Sequence, residues 1–312
     1  MLSPVLVTGA TGVIGAATCT LLRASGYEVA AVSSCDADLR SFDASLALFD
    51  QIAPATVIHL AGRVAGIMGN LDAQGTMYLD NLLINTNVVE AARRSGVRKI
   101  VAMGSVSIYP DGIQLPMKEK DLWAGAPHKS EAGYGHAKRS MLAQLETYQD
   151  QYGLEYAFAI CTNLFGPNDR FDEVGGHVVP SLLSKFHRGV TEGGPVLVWG
   201  TGRATRDFLY STDAARALMT LLEAGNGVYN VASGSHVSVR ELVGDIIGVS
   251  GYTGEVEWDE TKPDGQAARS YDITRLTSLG WLPLVDLNTA LAETYAWYAH
   301  HVASARRAAP WT

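Results

Sequence analysis

The chain has 312 residues, of which 47% are hydrophobic, so it can bury one large core and a second, smaller one. Its formal net charge of −8 argues against nucleic acid or an anionic membrane as a partner. We expect a cytoplasmic protein, because the chain has no run of about 18 apolar residues and begins a strand at residue 5, where a signal peptide would stand. We expect no metal site, because the three cysteines are scattered without metal-ligand spacing.

An apolar strand near the start runs directly into a glycine-rich turn and then into a helix. Val5-Leu6-Val7 precedes the pattern Gly-x-x-Gly-x-x-Gly, and a helix is predicted over 16–25. In this context the glycines allow a tight turn and the close approach of a pyrophosphate, which binds at the positive end of the helix. The pattern predicts a dinucleotide site formed by Gly9, Thr11, Gly12, Val13, Ile14 and Gly15.

The second predicted strand, residues 28–33, ends in Ser33 and Ser34, whereas proteins that prefer NAD usually place an acid there for the ribose 2′-hydroxyl. Asp36 and Asp38 arrive later, and hydroxyls do not repel a 2′-phosphate, so NADP(H) is favoured over NAD(H). The preference is weak, because Arg40 is the one arginine nearby. The further predicted cofactor contacts are Asp38, Leu39, Leu60, Ala61 and Gly62.

Strands and helices then alternate, which predicts an α/β fold with a Rossmann-type, doubly wound parallel sheet. The predicted strands are 56–60, 99–103 and 156–162, and the predicted helices are 81–95 and 134–152. Beyond residue 165 the pattern becomes irregular, although 228–231 can return to the sheet. We predict a dinucleotide-binding domain over 1–165, to which about 205–235 returns, and a smaller, discontinuous α/β substrate domain over 166–312.

Ser105, Tyr134 and Lys138 together supply the groups needed to move a hydride to or from a carbinol carbon. Tyr134 would give its proton to the alcohol oxygen, and Lys138, one helical turn later on the same face, would place a positive charge beside the phenol. Ser105, at the end of a strand, would hydrogen-bond the carbonyl oxygen. Tyr134 and Lys138 are also expected to contact the cofactor. The short Tyr-x-x-x-Lys pattern is weak alone and gains its weight from the glycine-rich turn before it.

Several longer segments make the chain similar to a known family. They are 63–70 (RVAGIMGN), 104–110 (GSVSIYP), 162–169 (TNLFGPND), 177–180 (HVVP), 198–202 (VWGTG), 206–209 (RDFL) and 262–265 (KPDG). Through them the chain resembles the extended short-chain dehydrogenases/reductases over nearly its whole length. Within that class it is most similar to the GDP-L-fucose synthases, which convert GDP-4-keto-6-deoxy-mannose to GDP-fucose.

The resemblance implies roles for individual residues. Ser105, Tyr134 and Lys138 match the reduction triad, and His177 matches a histidine credited with acid/base work during epimerisation of the sugar. The positions that match contacts to the GDP-sugar substrate are Asn163, His177, Val178, Trp199, Arg206 and Lys262. An arginine fork suits a diphosphate and an indole suits stacking near a nucleobase.

One position departs from the family. Ser107 stands where the family usually has a cysteine, and 266–269 is less basic than the family's stretch. A thiol with a pKa of about 8.5 exchanges protons at neutral pH, whereas a serine hydroxyl normally needs a neighbouring base. We therefore count Ser107 among the candidate catalytic residues and expect 3,5-epimerisation to be lost or impaired.

These observations predict an NADPH-dependent C4-keto reductase of a GDP-4-keto(-6-deoxy) sugar. Three alternatives stay open: the family's bifunctional 3,5-epimerase/4-reductase, a nucleotide-sugar epimerase holding NAD tightly, and a non-catalytic NADP(H) sensor. The sensor is the least expected, because the triad is complete.

A homodimer is also expected, because the helices 81–95 and 134–152 carry apolar residues on more than one face and related enzymes pair through a four-helix interface. The apolar residues in question are Leu82, Leu83, Ile84, Val88, Val89, Met141, Leu142 and Leu145.

Overall fold

The structure is a computed structural model that describes residues 3–64, 66–173, 176–262 and 268–305, with the backbone alone for 67–69. Some residues used above lie outside the described ones, namely Ala65 and 263–267. Six strands form one parallel sheet, which confirms the predicted fold class. In spatial order they are β10 (Gly227–Val231), β5 (Glu155–Cys161), β4 (Lys99–Ser105), β3 (Thr56–His59), β1 (Val5–Thr8) and β2 (Val29–Val32), numbered along the chain.

The inner strands are mostly apolar and buried because helices cover both faces of the sheet. Along β1, Val5 and Val7 point into one core while Leu6 points into the other, as the two-residue period of a strand requires. The helices on the Val5 side are α1 (Val13–Ala24) and α7 (Ser211–Ala224), and those on the Leu6 side are α2 (Phe42–Ile52), α4 (Gln74–Arg94) and α5 (Ala132–Tyr152).

Helix α4 begins at Gln74, seven residues before the predicted start at Asn81. Asparagine is a good helix N-cap, but Asn81 lies inside α4. In the fold the Asn81 side chain is used elsewhere: its Oδ1 accepts from the Arg63 backbone N–H at 3.0 Å, and its Nδ2 donates to the Arg63 carbonyl at 2.9 Å. Asn81 therefore fixes the loop after β3 from inside the helix.

A second cluster of elements follows residue 162 and has its own core of buried aromatic and aliphatic side chains, including Phe165, Phe186 and Leu291. Its elements are β6 (Asn163–Phe165), α6 (Val178–Glu192), β7 (Val196–Trp199), β8 (Thr205–Arg206), β9 (Phe208–Tyr210), β11 (Val237–Ser238), α8 (Val239–Ser250), β12 (Val256–Asp259) and α10 (Leu287–His301). The short helices α3 (Ile67–Asp72) and α9 (Thr274–Thr277) and two 3-10 turns, Val106–Ile108 and Glu119–Asp121, complete the described elements.

The chain crosses between the sheet and this second cluster more than once. Strand β10 comes after β6–β9 yet pairs with β5, and Trp281 packs into the core under α1 and α7. The domain boundaries at 165 and 166 remain a prediction. No helix within the described ranges combines the length and apolar composition needed to cross a bilayer.

The helix faces expected to form a dimer are largely buried within one chain. Val88, Val89, Met141, Leu142 and Leu145 are all at most 1% exposed and lie in the core shared by α2, α4 and α5. These five residues are not available for pairing, because α4 and α5 use them to pack against each other and the sheet, and the homodimer itself stays a prediction. The apolar residues of α4 that stay exposed are Tyr78, Leu79 and Leu83.

Candidate active site

A cavity of about 1210 Å³ lies at the carboxyl ends of the sheet strands, between the sheet and the second cluster of elements that follows residue 162. This is where open parallel sheets bind their ligands. Every predicted site residue except Ser107 and Lys138 lines it. Those residues are Gly9, Thr11, Gly12, Val13, Ile14, Gly15, Ser33, Ser34, Asp38, Leu39, Leu60, Ala61, Gly62, Ser105, Tyr134, Asn163, His177, Val178, Trp199, Arg206 and Lys262.

The dinucleotide end of the cavity is a backbone cradle. Gly9 has φ +69°, and a Cβ there would lie 2.8 Å from the Ala61 nitrogen. A Cβ on Gly15 would lie 2.2 Å from the Gly9 carbonyl oxygen, so α1 contacts the turn too closely for any side chain. The first turn of α1 therefore faces the cavity with unobstructed N–H groups, the arrangement that binds a pyrophosphate. The cradle fits a dinucleotide.

A buried histidine, His59, holds the residues that follow β3 against the end of β1, beside this cradle. The His59 ring contacts Thr8 Oγ1 at 2.8 Å and Asn85 Oδ1 at 3.1 Å, and burial lowers its pKa to about 3. Thr8 Oγ1 in turn accepts the backbone N–H groups of Leu60 and Ala61 at 3.2 Å. A neutral imidazole thus ties β1, β3 and α4 together below the cofactor site.

The end of β2 is more acidic than the sequence suggested. The Asp36 carboxylate bends back to accept from both the N–H and the hydroxyl of Ser33, at 2.8 and 2.9 Å. Arg40 also reaches the cavity, where its guanidinium makes a two-point contact with Asp38 at 2.8 and 2.9 Å. The interpretation that no carboxylate stands beside Ser33 was therefore wrong, because a three-residue turn returns one to it.

Tyr134 and Lys138 lie one turn apart on α5, as predicted, with the ammonium 5.8 Å from the phenol ring centroid. Lys138 is 2% exposed, and burial lowers its pKa to about 8. Burial raises the pKa of Tyr134, and the neighbouring Cys161 and Glu131 raise it further. The positive charge of Lys138 beside the phenol is therefore lost as the pH rises through about 8.

Ser105 ends β4 and holds its hydroxyl in the cavity. Ser107 donates to Ser105 Oγ twice, from its hydroxyl at 3.0 Å and from its backbone N–H at 3.3 Å. With both acceptor positions of Ser105 Oγ used, its own O–H is left to donate to a substrate oxygen. Ser107 is 3% exposed and is absent from the cavity lining, so it orients Ser105.

Cys161 was not among the predicted site residues, and it also lines the cavity. It pairs in register with Ser105, which places its thiol near Tyr134 and Lys138. Burial raises the thiol's pKa to about 12. The signal was available in the sequence, because neighbouring parallel strands that end at the same edge bring their last residues together.

The other end of the cavity is aromatic and basic. Trp199 ends β7, and its ring centroid lies 5.1 Å from the ammonium of Lys185 and 5.6 Å from that of Lys262. Lys185 was not predicted from the sequence. Its spacing from Val178 is two helical turns, which places both on the cavity face of α6.

A buried carboxylate orders the strands beside this end. Asp207 is 0% exposed and accepts the backbone N–H groups of Ser233 and Gly234 at 2.9 and 2.8 Å. Its backbone carbonyl accepts from the Asn163 amide at 3.0 Å. Next to it, Arg206 donates to the Thr205 carbonyl at 2.8 Å. His177 is the exposed residue just before α6.

Two ion pairs in the cavity wall were also missed. Arg63 contacts Asp80 of α4, and Arg269 contacts Glu131, which directly precedes α5. All four side chains line the cavity. No sequence pattern joins partners as far apart as Glu131 and Arg269.

The chain is similar to a known protein family. Residues 5–232 match the family model described as NAD dependent epimerase/dehydratase family. A rice (Oryza sativa subsp. japonica) protein named probable GDP-L-fucose synthase 1 is 35% identical over 308 residues, covering 97% of this chain and 94% of that protein.

Solved structures agree with this. A GDP-L-fucose synthetase from Naegleria fowleri bound to NADP superposes with a TM-score of 0.90 at 29% identity, covering 97% of this chain and 96% of that one. A GDP-6-OMe-4-keto-L-xylo-heptose reductase from C. jejuni gives a TM-score of 0.89 at 25% identity, covering 95% and 97%. The chain belongs to the NAD dependent epimerase/dehydratase family, and it is an NAD(P)-dependent enzyme of the extended short-chain dehydrogenase/reductase type.

Proposed function

We propose that the protein reduces the C4 carbonyl of a GDP-4-keto(-6-deoxy) sugar with NADPH. The observation that carries this is the position of Ser105 and Tyr134: they stand in one continuous cavity, between the glycine cradle and the basic end around Trp199. A dinucleotide in the cradle and a nucleotide sugar at the basic end would meet at these residues. The rice relative and both solved structures carry GDP-sugar enzyme names.

The protein's part in the reaction is to hold the carbonyl and supply a proton. NADPH supplies the hydride to the carbonyl carbon. The Ser105 hydroxyl, oriented by Ser107, donates to the carbonyl oxygen as negative charge develops there. The Tyr134 O–H then gives that oxygen its proton, and the charge on Lys138 stabilises the resulting phenolate.

The basic end suits the nucleoside diphosphate. Arg206 offers a planar fork to phosphate oxygens, and the ammonium groups of Lys185 and Lys262 add positive charge. The Trp199 ring between them offers a face for a base. In a chain with a net charge of −8, this local group of cations supports a phosphate-bearing ligand.

NADP(H) is the proposed cofactor, and Arg40 is the cation that supports the choice. It lines the cavity near Ser33 and Ser34, and it can exchange its contact with Asp38 for a 2′-phosphate. Asp38 and Asp36 oppose this preference, so we expect NADPH to be favoured over NADH by a modest ratio.

Epimerisation at C3 and C5 is proposed to be lost or impaired. The Ser107 hydroxyl donates to Ser105, so it does not face the cavity where a sugar proton would be exchanged. His177 lines the cavity and remains as one acid/base group. In D₂O with unlabelled NADPH, at least one of the two carbons should keep its configuration and take up no deuterium. Ser107→Cys should restore exchange and inversion there. Inversion with full deuterium incorporation at both carbons in the wild type would contradict the proposal and favour the bifunctional synthase.

The deciding experiment is a panel of GDP-4-keto sugars, hexose and heptose, incubated with NADPH or NADH. Loss of the nicotinamide absorbance gives the rate, and NMR of the product gives its configuration. We expect turnover with NADPH and an alcohol at C4. An enzyme that purifies with bound NAD and interconverts epimers without added cofactor would instead be a nucleotide-sugar epimerase. Cofactor binding without turnover of any sugar would leave the sensor.

A homodimer and a cytoplasmic location are likewise proposals. The stripe Tyr78, Leu79, Leu82 and Leu83 on α4 repeats at helical spacing and supports a pairing face, with three of the four at least 37% exposed. Sedimentation at micromolar concentration should give twice the chain mass of 33.3 kDa. Leu79→Glu should convert the protein to monomers, and monomeric wild type would contradict the proposal.

A further inference from the structure

The ion pair between Glu131 and Arg269 joins two parts of the cavity wall that are 138 residues apart in sequence. The Arg269 Nη2 atom lies 2.9 Å from Glu131 Oε2, and the side chains are 11% and 22% exposed. Both line the cavity. An arginine this deeply buried is costly unless a carboxylate compensates it, so each partner holds the other in place.

On one side, the pair contacts the catalytic helix. Glu131 is the residue directly before α5, and its carbonyl accepts the Gly135 N–H at 2.8 Å. Tyr134 lies in the same first turn. The charged and titratable groups that face the Tyr134 phenol are Lys138 from its own helix, Cys161 from β5 and Glu131.

On the other side, the pair contacts the segment that borders the nucleotide-sugar end. Ala268 bridges to Thr205, the neighbour of Arg206 on β8. Two residues after Arg269, Tyr271 bridges to Met117, and the backbone N–H of Met117 donates to the Ser270 carbonyl at 2.8 Å. The charged groups facing Arg269 and Tyr271 are Glu131, Asp207 and Arg206.

We propose that Glu131 and Arg269 are positioning residues for the reduction. Their ion pair fixes the segment 268–272, and with it the sugar side of the cavity, against the first turn of α5, so that the sugar carbonyl lies within reach of Tyr134. The pair also balances charge beside the phenol: Arg269 compensates the carboxylate that otherwise opposes ionisation of Tyr134. This inference rests on the proposed reductase function.

The test compares wild type with Glu131→Gln, Arg269→Met and the double variant, using NADPH and the sugar that the wild type reduces. Each single variant should lower kcat by up to about 100-fold, the loss that misplaced reacting groups produce. The double variant should lose less than the product of the two single losses. Arg94→Met is the matched control, because Arg94 forms an ion pair with Glu90 on the outer surface of α4. It should leave kcat unchanged.

The pH dependence separates positioning from a merely structural role. Removing the Glu131 charge favours loss of a proton from the Tyr134–Lys138 pair, so the fall in rate at high pH should move to lower pH in Glu131→Gln. Removing the Arg269 charge should move it to higher pH. Shifts in the same direction, or no shift in either variant, would overturn the proposal.

Failure of the proposed function gives a different result. If the wild type reduces no GDP-4-keto sugar, the reductase assignment fails whatever the variants do. The charge coupling is then measured without turnover, from the pH dependence of NADPH binding followed by nicotinamide fluorescence, which reports the charge of Lys138 beside the cofactor site. Opposite displacements in the two single variants would still support the coupling, and identical curves in all four proteins would reject it.

Discussion

The two ends of the cavity are built from different materials. The dinucleotide end is made mainly of backbone, in the short contiguous stretch from Gly9 to Gly15. The basic end is made of charged and aromatic side chains, such as Lys185, Trp199 and Arg269, which come from separate segments of the chain. A backbone site depends on local geometry that a few glycines dictate, whereas a side-chain site depends on how distant segments pack. The two ends should therefore respond differently to substitution.

The largest effect is expected where the two ends meet. Tyr134→Phe removes the proton donor and keeps the ring, so kcat should fall by about 10²–10⁴-fold, the range for a lost general acid. NADPH affinity, measured by fluorescence titration, should stay near the wild-type value. Near-normal turnover in this variant would rule out the assigned role.

A change at the basic end should affect binding of the GDP-sugar alone. Trp199→Ala should raise KM for the GDP-sugar by about 5- to 150-fold, because stacking of a base on an aromatic ring contributes ~1–3 kcal/mol. The Kd for NADPH should not change. Trp199→Phe is the control and should retain most of the affinity. An unchanged KM in the alanine variant would show that the base does not stack there.

A change in the cradle should have the reverse pattern. An added Cβ on Gly15 meets backbone atoms of Gly9 and Ala10 that cannot move aside, so Gly15→Ala should weaken NADPH binding and destabilise the fold by ~1–3 kcal/mol. Gly244→Ala is the matched control, because that glycine lies in α8 with no atom within 4 Å of its added Cβ. Thermal melts should show the control unchanged or slightly more stable. Equal melting temperatures for both variants would contradict the crowded-turn explanation.

The smallest expected effect is that of pH on kcat. Lys138 is charged below its pKa of about 8 and neutral above it. Because the charged form supports the Tyr134 phenolate, kcat should fall as pH rises through about 8, by about tenfold at pH 9. Lys138→Met should be slow at all pH values and lack this fall. A wild-type rate that stays level from pH 7 to 9.5 would mean that the bound cofactor restores the pKa of the lysine.

The same contrast explains what the sequence predicts well. The parallel sheet, the cradle and the Tyr134–Lys138 spacing follow from periodicity and glycine placement, and the structure has them where they were expected. The family resemblance singled out Trp199 and Arg206, and both line the cavity. Arg269 and Lys185 were missed because their roles depend on tertiary neighbours. The turn that brings Asp36 back to Ser33 was missed for a related reason: a side-chain hydrogen bond reverses three residues of chain and changes the charge beside β2.

Ser107 shows how one substitution can be interpreted differently once the geometry is known. In the sequence it stands for a missing thiol. In the fold its hydroxyl and N–H both donate to Ser105, and we propose on this basis that the residue supports reduction and takes no part in proton exchange. Reduction and epimerisation would then be separable in this chain at a single side chain.

Strand β10 comes late in the chain, and this matters when only a fragment of the protein is expressed. Strand β5 is buried over six of its seven residues, and β10 pairs with its outer edge. The Asn230 amide holds β10 in turn by donating to the carbonyls of Met117 and Asp272 at 3.0 Å. A fragment ending at residue 165 would leave β5 as a long apolar edge with unpaired N–H and C=O groups. Such edges template strand pairing between molecules. The isolated dinucleotide half should therefore form aggregates when expressed alone, while a circular permutant that keeps 227–231 should stay dispersed.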